Sequence, residues 1–195
     1  KITAKNGSFE VIKKCRDNIE YTAFNTLPVN LGAMFKAASD NYGSEDFLVY
    51  KDERHSFISL YQQAVVFSLV LQKEYNVEHG DKVVIAMRNY PDWIVAFMGI
   101  TLLGSVAVPL NAWWQQDEFM QVIEHSQASV VITDDKRFNL LSQCLVKKQI
   151  PTIIARPSED QDSSISMGQL IESYLMREDL IDTIKTDAST LVPTW

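Results

Sequence analysis

Apolar positions along this chain follow two rhythms. From Asn30 the spacing is helical. Leu31, Met34, Phe35 and Ala38 share one face of a 3.6-residue period, Asn30 can cap the free N–H groups, and Gly43 sits where a helix end favours a left-handed residue. Phe47–Tyr50 and His55–Phe57, split by Asp52-Glu53-Arg54, read as two short strands and a turn. Ser59 and Gln62 have capping-box spacing, and the helix behind them puts Leu60, Ala64, Phe67 and Leu71 on one face. Residues 1–30 show no clean period and read as an N-terminal arm.

From Gly80-Asp81, a turn, the second rhythm begins. Val83–Met87 is apolar on both faces, as a strand covered by helices on each side must be. Pro91 and Asp92 suit a helix's first turn, one through its fixed φ and the other through its charge against the dipole. That helix ends near Gly104. Strand 106–109 follows, then a helix opened by Asp117 and Glu118 and continued by Phe119, Val122 and Ile123. Strand 130–133, a helix over 137–148 burying Phe138, Leu141 and Leu145, and strand 152–155 complete the alternation. An acidic loop leads to a last helix with a second capping-box pair, Ser166 and Gln169. Strands alternating with helices predict an α/β fold, a mainly parallel sheet flanked by helices, over residues 31–186, with 187–195 as a separate trailing stretch.

One segment tests this reading. Trp93–Leu110 is an uncharged run of membrane-span length, but Gly104-Ser105 breaks it and Val106–Pro109 reads as a strand. Its helical part, 91–103, would reach only about 20 Å against a hydrocarbon core of about 30 Å. No transmembrane segment is predicted. Net charge is −7 with no basic stripe, which argues against nucleic acid as a partner. Cys15 and Cys144 are far apart and form no CxxC, so a reducing, cytoplasmic setting is expected.

Ligands of such sheets sit beyond the carboxyl ends of the strands. There the chain offers "RNYPDW" after Met87, with no GxGxxG and no GxxxxGK[ST], and its seven glycines do not cluster into a phosphate cradle. No GxSxG is present. His55, His79 and His125 form no zinc-type spacing and read as surface histidines. Asp134-Asp135 could hold a metal or a ribose hydroxyl, but a solvated turn is the simpler reading. Trp113-Trp114 could line an acyl pocket or an interface, with core or boundary packing favoured. Arg88 could meet a phosphate or carboxylate, with a structural ion pair favoured. No residue is assigned a catalytic, cofactor-binding or metal-binding role.

The stretch Gly80–Trp114, "GDKVVIAMRNYPDWIVAFMGITLLGSVAVPLNAWW", resembles the N-terminal region of the AMP-forming acyl-CoA synthetases, the adenylate-forming ligases. Within it "LLGSVAVPLN" is similar to that family's early Gly-x-x-x-x-Pro motif, with Gly104 and Pro109 at the matching positions, and "SFISLYQQA" resembles the opening of its first long helix. The likeness runs from about Leu31 to about Arg137, and "RNYPDW" and "PLNAWW" point to ligases of fatty or medium-chain acids. The resemblance implies a two-step reaction in the complete enzyme. A carboxylate attacks the α-phosphate of ATP to give acyl-AMP, and coenzyme A then takes the acyl group, with Mg²⁺ assisting. It also implies that "TDASTLVPT" leads toward a phosphate-holding loop due after Thr194. The expectation is therefore an N-terminal piece of an acid–CoA ligase, inactive alone. Its partner would be the rest of the same enzyme or a separate subunit, and it would be prone to self-association. A free-standing, non-catalytic partner-binding module is the alternative.

Overall fold

The computed structural model describes residues 2–159 and 166–180. Four parallel strands form its centre: β5 (Lys82–Ala86), β6 (Val106–Pro109), β7 (Val130–Asp134) and β8 (Thr152–Ala155). Their order across the sheet is β6-β5-β7-β8, every neighbour parallel, as the alternating pattern requires. The elements before them, in chain order, are β1 (Val11–Arg16), β2 (Ile19–Phe24), α1 (Leu31–Tyr42), β3 (Asp46–Tyr50), β4 (Glu53–Ser56) and α2 (Phe57–Glu74). Helices α3 (Pro91–Leu102), α4 (Gln116–Ser126) and α5 (Asp135–Lys147) cross between the parallel strands, and α6 (Met167–Leu175) follows β8.

Strand periodicity of two divides the core cleanly. Val83, Ile85, Val130, Ile132 and Ile153 join α2, α3 and α6 on one face, whereas Val84, Ala86 and Val131 join α4 and α5 on the other. Phe67, Leu71, Ile85, Ile132 and Phe119 are fully buried. Each such side chain contributes roughly 1.5–3 kcal/mol by leaving water. Helices α2 and α3 approach closely at Gly99, where a Cβ would stand 3.0 Å from the Ala64 carbonyl oxygen. Helix α1 lies outside this layer, with Phe35 against Tyr61, Ala64, Met98 and Leu102. Among the described residues no helix is long and apolar enough to cross a membrane.

Local signals held in most places. Asn30 caps α1 by accepting from the Ala33 N–H at 2.7 Å, and Gly43 follows α1 with φ 45°. The cap of α2 is Ser56, three residues before the expected Ser59, because Phe57 and Ile58 already fit the first turn and the Ser59 N–H donates to Ser56 Oγ. Helix α4 closes a capping box the sequence reading passed over, between Gln115 and Glu118. Ser166 precedes α6 but makes no side-chain cap bond, and its backbone bridges Ile154 of β8. The arm at 1–30 contains an antiparallel hairpin, β1–β2, turned by Asp17 and Asn18, both at positive φ. The stretch 187–195, with its lead-in motif, lies outside the described residues.

Candidate site at the carboxyl ends of the parallel strands

Helix α3 leaves β5 toward one face of the sheet and α5 leaves β7 toward the other. The crevice between the carboxyl ends of β5 and β7 is therefore the topological switch point, where ligands of such sheets ordinarily enter. Here it is stapled by protein groups. Asp134 Oδ2 accepts the Arg88 N–H at 3.0 Å, and Oδ1 accepts the Arg137 N–H at 2.9 Å, capping α5. The Arg137 guanidinium pairs with the same carboxylate at 3.0 and 3.3 Å, and its Nε and Nη2 donate to the Ala112 carbonyl after β6. Both side chains are about 95% covered, so each charge depends on the other. One buried pair thus fixes the loops that follow three adjacent strands.

Asp134 is accordingly not the solvated turn residue the sequence suggested. It ends β7, caps the helix and moves that helix's start from 137 to 135. Arg137 takes the buried place at the head of the Leu141–Leu145 stripe, and Phe138, expected to be buried, is half-buried. Asp135 turns outward and accepts from the Ser158 N–H and hydroxyl.

Beside the staple, over β5 and β6, opens a cleft of about 540 Å³ whose walls include Tyr50, Arg88, Tyr90, Trp93, Leu110 and Trp113. Arg88 is not in an ion pair among the described residues. Its guanidinium lies over the Trp113 ring, 4.7 Å from the centroid, which corrects the expected salt bridge. Trp113 is 73% exposed, whereas Trp114 packs into the core against Phe119. The favoured core reading thus holds for the second tryptophan and fails for the first. A cation backed by an indole in an open, mostly apolar hollow suits a planar or anionic group.

On the other side, over β7 and β8, a hollow of about 350 Å³ has Tyr50 and Tyr90 in its walls together with three acids, Glu53, Asp134 and Asp135, and three cations, Lys51, Lys136 and Arg156. Arg156 adopts φ 54° directly after β8. It donates to both Glu53 carboxylate oxygens, at 2.8 and 2.7 Å, and to Asp92 at 2.5 Å, while resting over the Tyr50 and Tyr90 rings. The Arg156 hydrogen bonds pull the Glu53 carboxyl down to about 2, and Glu53 and Asp92 push the guanidinium still higher. Nothing in the sequence singled out Arg156. Its partners lie 103 and 64 residues away, so no local spacing announces them.

The histidines do not meet. His55 Nε2 lies 3.3 Å from Glu53 Oε2, while His79 is exposed in the turn before β5 and His125 is exposed on α4. Among the described residues no group of three His, Cys, Asp or Glu side chains could hold a metal ion. Each crossover helix that opens toward this end carries acids in its first turn: Asp92 in α3, Asp117 and Glu118 in α4, Asp135 in α5. Those carboxylates oppose a phosphate at these three helix N-termini, which therefore do not by themselves form a triphosphate cradle, whereas α6 has no acid in its first turn.

The sequence model of the family described as AMP-binding enzyme matches residues 35–184. The chain is 29% identical over 119 residues to 4-hydroxybutyrate–CoA ligase 2 of Metallosphaera sedula, covering 61% of this chain and 21% of that protein. It is 24% identical over 148 residues to the crotonobetaine/carnitine–CoA ligase of Escherichia coli, covering 70% of this chain and 28% of that protein. A benzoate CoA ligase from Burkholderia xenovorans superposes with a TM-score of 0.65 at 18% identity, over 75% of this chain and 29% of that one. The chain thus spans less than a third of the length of these relatives.

Proposed function

The chain belongs to the AMP-binding enzyme family, and from that premise we propose that it is the N-terminal part of an acid–CoA ligase. The complete enzyme would activate a carboxylic acid with ATP and Mg²⁺ to acyl-AMP, then pass the acyl group to coenzyme A. The observation that carries this reading is the family match over 35–184 on a chain that covers 21% and 28% of two CoA ligases. In this reading the chain supplies a sheet, a stapled switch point and, at the strand ends, an aromatic-walled cleft beside Arg88 and Trp113. The groups that orient the triphosphate come from the remaining part of the enzyme or from a separate subunit. The chain alone is inactive. The cleft beside Arg88 and Trp113 contributes to holding a planar or anionic portion of a substrate, and fatty or medium-chain acids are the acyl class favoured by the motifs after β5 and β6. The setting is the cytoplasm, in keeping with two cysteines that are both free.

The test is pyrophosphate release from ATP with a panel of carboxylic acids. Residues 1–195 alone should give none. The same chain joined to the coding sequence that adjoins it in the gene should give carboxylate-dependent release. Release by the isolated chain, free of other ligases, would show that the reading is wrong.

A further inference from the structure

The hairpin β1–β2 has no place in the core and lies ahead of the family match at residue 35. It is a two-stranded sheet of its own, and two strands are marginal in water without further cover. Four of its apolar side chains are exposed, Ile19 by 68%, Tyr21 by 42%, Phe24 by 42% and Val11 by 40%, while Ile12 and Ala23 are half-buried.

The two edges of this ribbon are not equivalent. The Asn25 N–H donates to the Glu10 carbonyl at 2.7 Å, which sets the phase of the ladder. Counting along the register, the pairs Ile12–Ala23, Lys14–Tyr21 and Arg16–Ile19 exchange the internal bonds. The backbone groups of Val11, Lys13 and Cys15 face out from β1, and those of Glu20, Thr22 and Phe24 face out from β2. The β1 edge is guarded: Lys13, Lys14 and Arg16 give it three cations and no acid. Pairing β1 with a second β1 would set cation against cation, the arrangement that protects natural edges. The β2 edge carries one charge, Glu20, and Lys13 already pairs with it at 3.1 Å.

We propose that the β2 edge is a self-association surface, joining two copies of this chain into a four-stranded antiparallel sheet of order β1-β2-β2-β1. With Tyr21 of each copy near the twofold axis, the two tyrosines face each other and Glu20 lies opposite Thr22 of the second copy. No like charges oppose, and the aromatic pair is of the kind that stabilises cross-strand contacts. The twofold closes the assembly, because only the cationic β1 edges remain outside.

Sedimentation velocity of the full chain over a roughly hundredfold range of concentration tests this, with two proline variants. Thr22→Pro removes an outward N–H from β2 and no internal ladder bond, and Lys13→Pro does the same on β1. The expected result is a monomer–dimer equilibrium in the wild type, kept by Lys13→Pro and lost by Thr22→Pro. A monomeric wild type, a dimer that survives Thr22→Pro, equal loss in both variants, or open-ended polymer in which β1 must pair with β2 would each overturn the proposal.

Discussion

Arg156 holds Glu53 through two parallel hydrogen bonds of 2.8 and 2.7 Å across 103 residues of sequence. The pair ties the β3–β4 hairpin to the end of β8, and Asp92 adds the first turn of α3 to the same cation. A bidentate guanidinium–carboxylate contact is geometrically demanding, and here it spends an Arg at positive φ, a conformation that side chains other than glycine enter at a cost. Tyr50 and Tyr90, which wall both hollows at the strand ends, take their positions against this guanidinium.

The pH dependence of stability should report that contact. The Glu53 carboxyl is lowered from 4.5 to about 2 in the folded chain. Its contribution is complete above the unfolded value and is lost as pH falls from about 4.5 through about 2. Side-chain exposures of 34% and 39% leave the pair screened by solvent, so about 1 kcal/mol is expected. Urea unfolding of Glu53→Gln should show that loss near neutral pH and a shallower decline between pH 4.5 and 2 than wild type. Identical acid limbs would show that the contact contributes nothing.

The buried pair at the switch point should be far less tolerant. Arg137→Met keeps the volume and the helix propensity but leaves the Asp134 carboxylate without its cation, at about 5% side-chain exposure. Removing one member of such a pair costs roughly 3–5 kcal/mol. Equilibrium denaturation should place Arg137→Met that far below wild type, and a loss under about 1 kcal/mol would mean that the staple does not bear on stability.

Much of this fold was legible because burial on both faces writes itself into sequence. Val83–Met87, Val130–Thr133 and Thr152–Ala155 are short, β-branched apolar runs that read as covered strands, and Pro91-Asp92 and Asp117-Glu118 mark helix starts that the structure reproduces. The hairpin was missed because Asp17-Asn18 is a weaker turn signal than Asn-Gly, and because Lys13, Lys14 and Arg16 hide the strand alternation. At the candidate site the reading failed wherever a role depended on distance in sequence. Asp134 looked solvated because Arg88, 46 residues away, reaches it only when β5 and β7 pair, and because its local i,i+3 contact with Arg137 at the start of α5 was passed over. Arg88 looked like an ion-pair donor, but the loop after β6 offers it an indole ring instead.

Thr133 presents the opposite case, a polar group in excess. Its hydroxyl is fully buried in β7 between Ala86 and Ile154, and Oγ1 has no hydrogen-bond partner among the described residues. Replacement by valine keeps the shape and removes an unsatisfied oxygen, so Thr133→Val should stabilise the chain by about 1 kcal/mol. Thermal and urea unfolding both measure this, and a destabilised variant would show that an ordered water satisfies the hydroxyl.

The last expectation concerns ATP. A parallel α/β sheet invites anions to its carboxyl end through helix N-termini and glycine turns that let the backbone wrap a phosphate. In this chain those helix starts carry Asp92, Asp117, Glu118 and Asp135, and the turns after β5 and β6 pass through Arg88-Asn89-Tyr90 and Asn111-Ala112-Trp113 without a glycine. The acids repel what the dipoles would attract, and the side chains keep the backbone from closing on a triphosphate. Arg88 remains the one cation at the cleft beside the staple, committed to the Trp113 face. A ligand at 100 times its Kd adds about 2.7 kcal/mol of stability, so a micromolar site would raise the melting temperature clearly in millimolar ATP. Residues 1–195 should show no such rise, with or without Mg²⁺. A rise that Arg88→Met abolishes would instead mean that the strand-end cleft holds nucleotide without the rest of the enzyme.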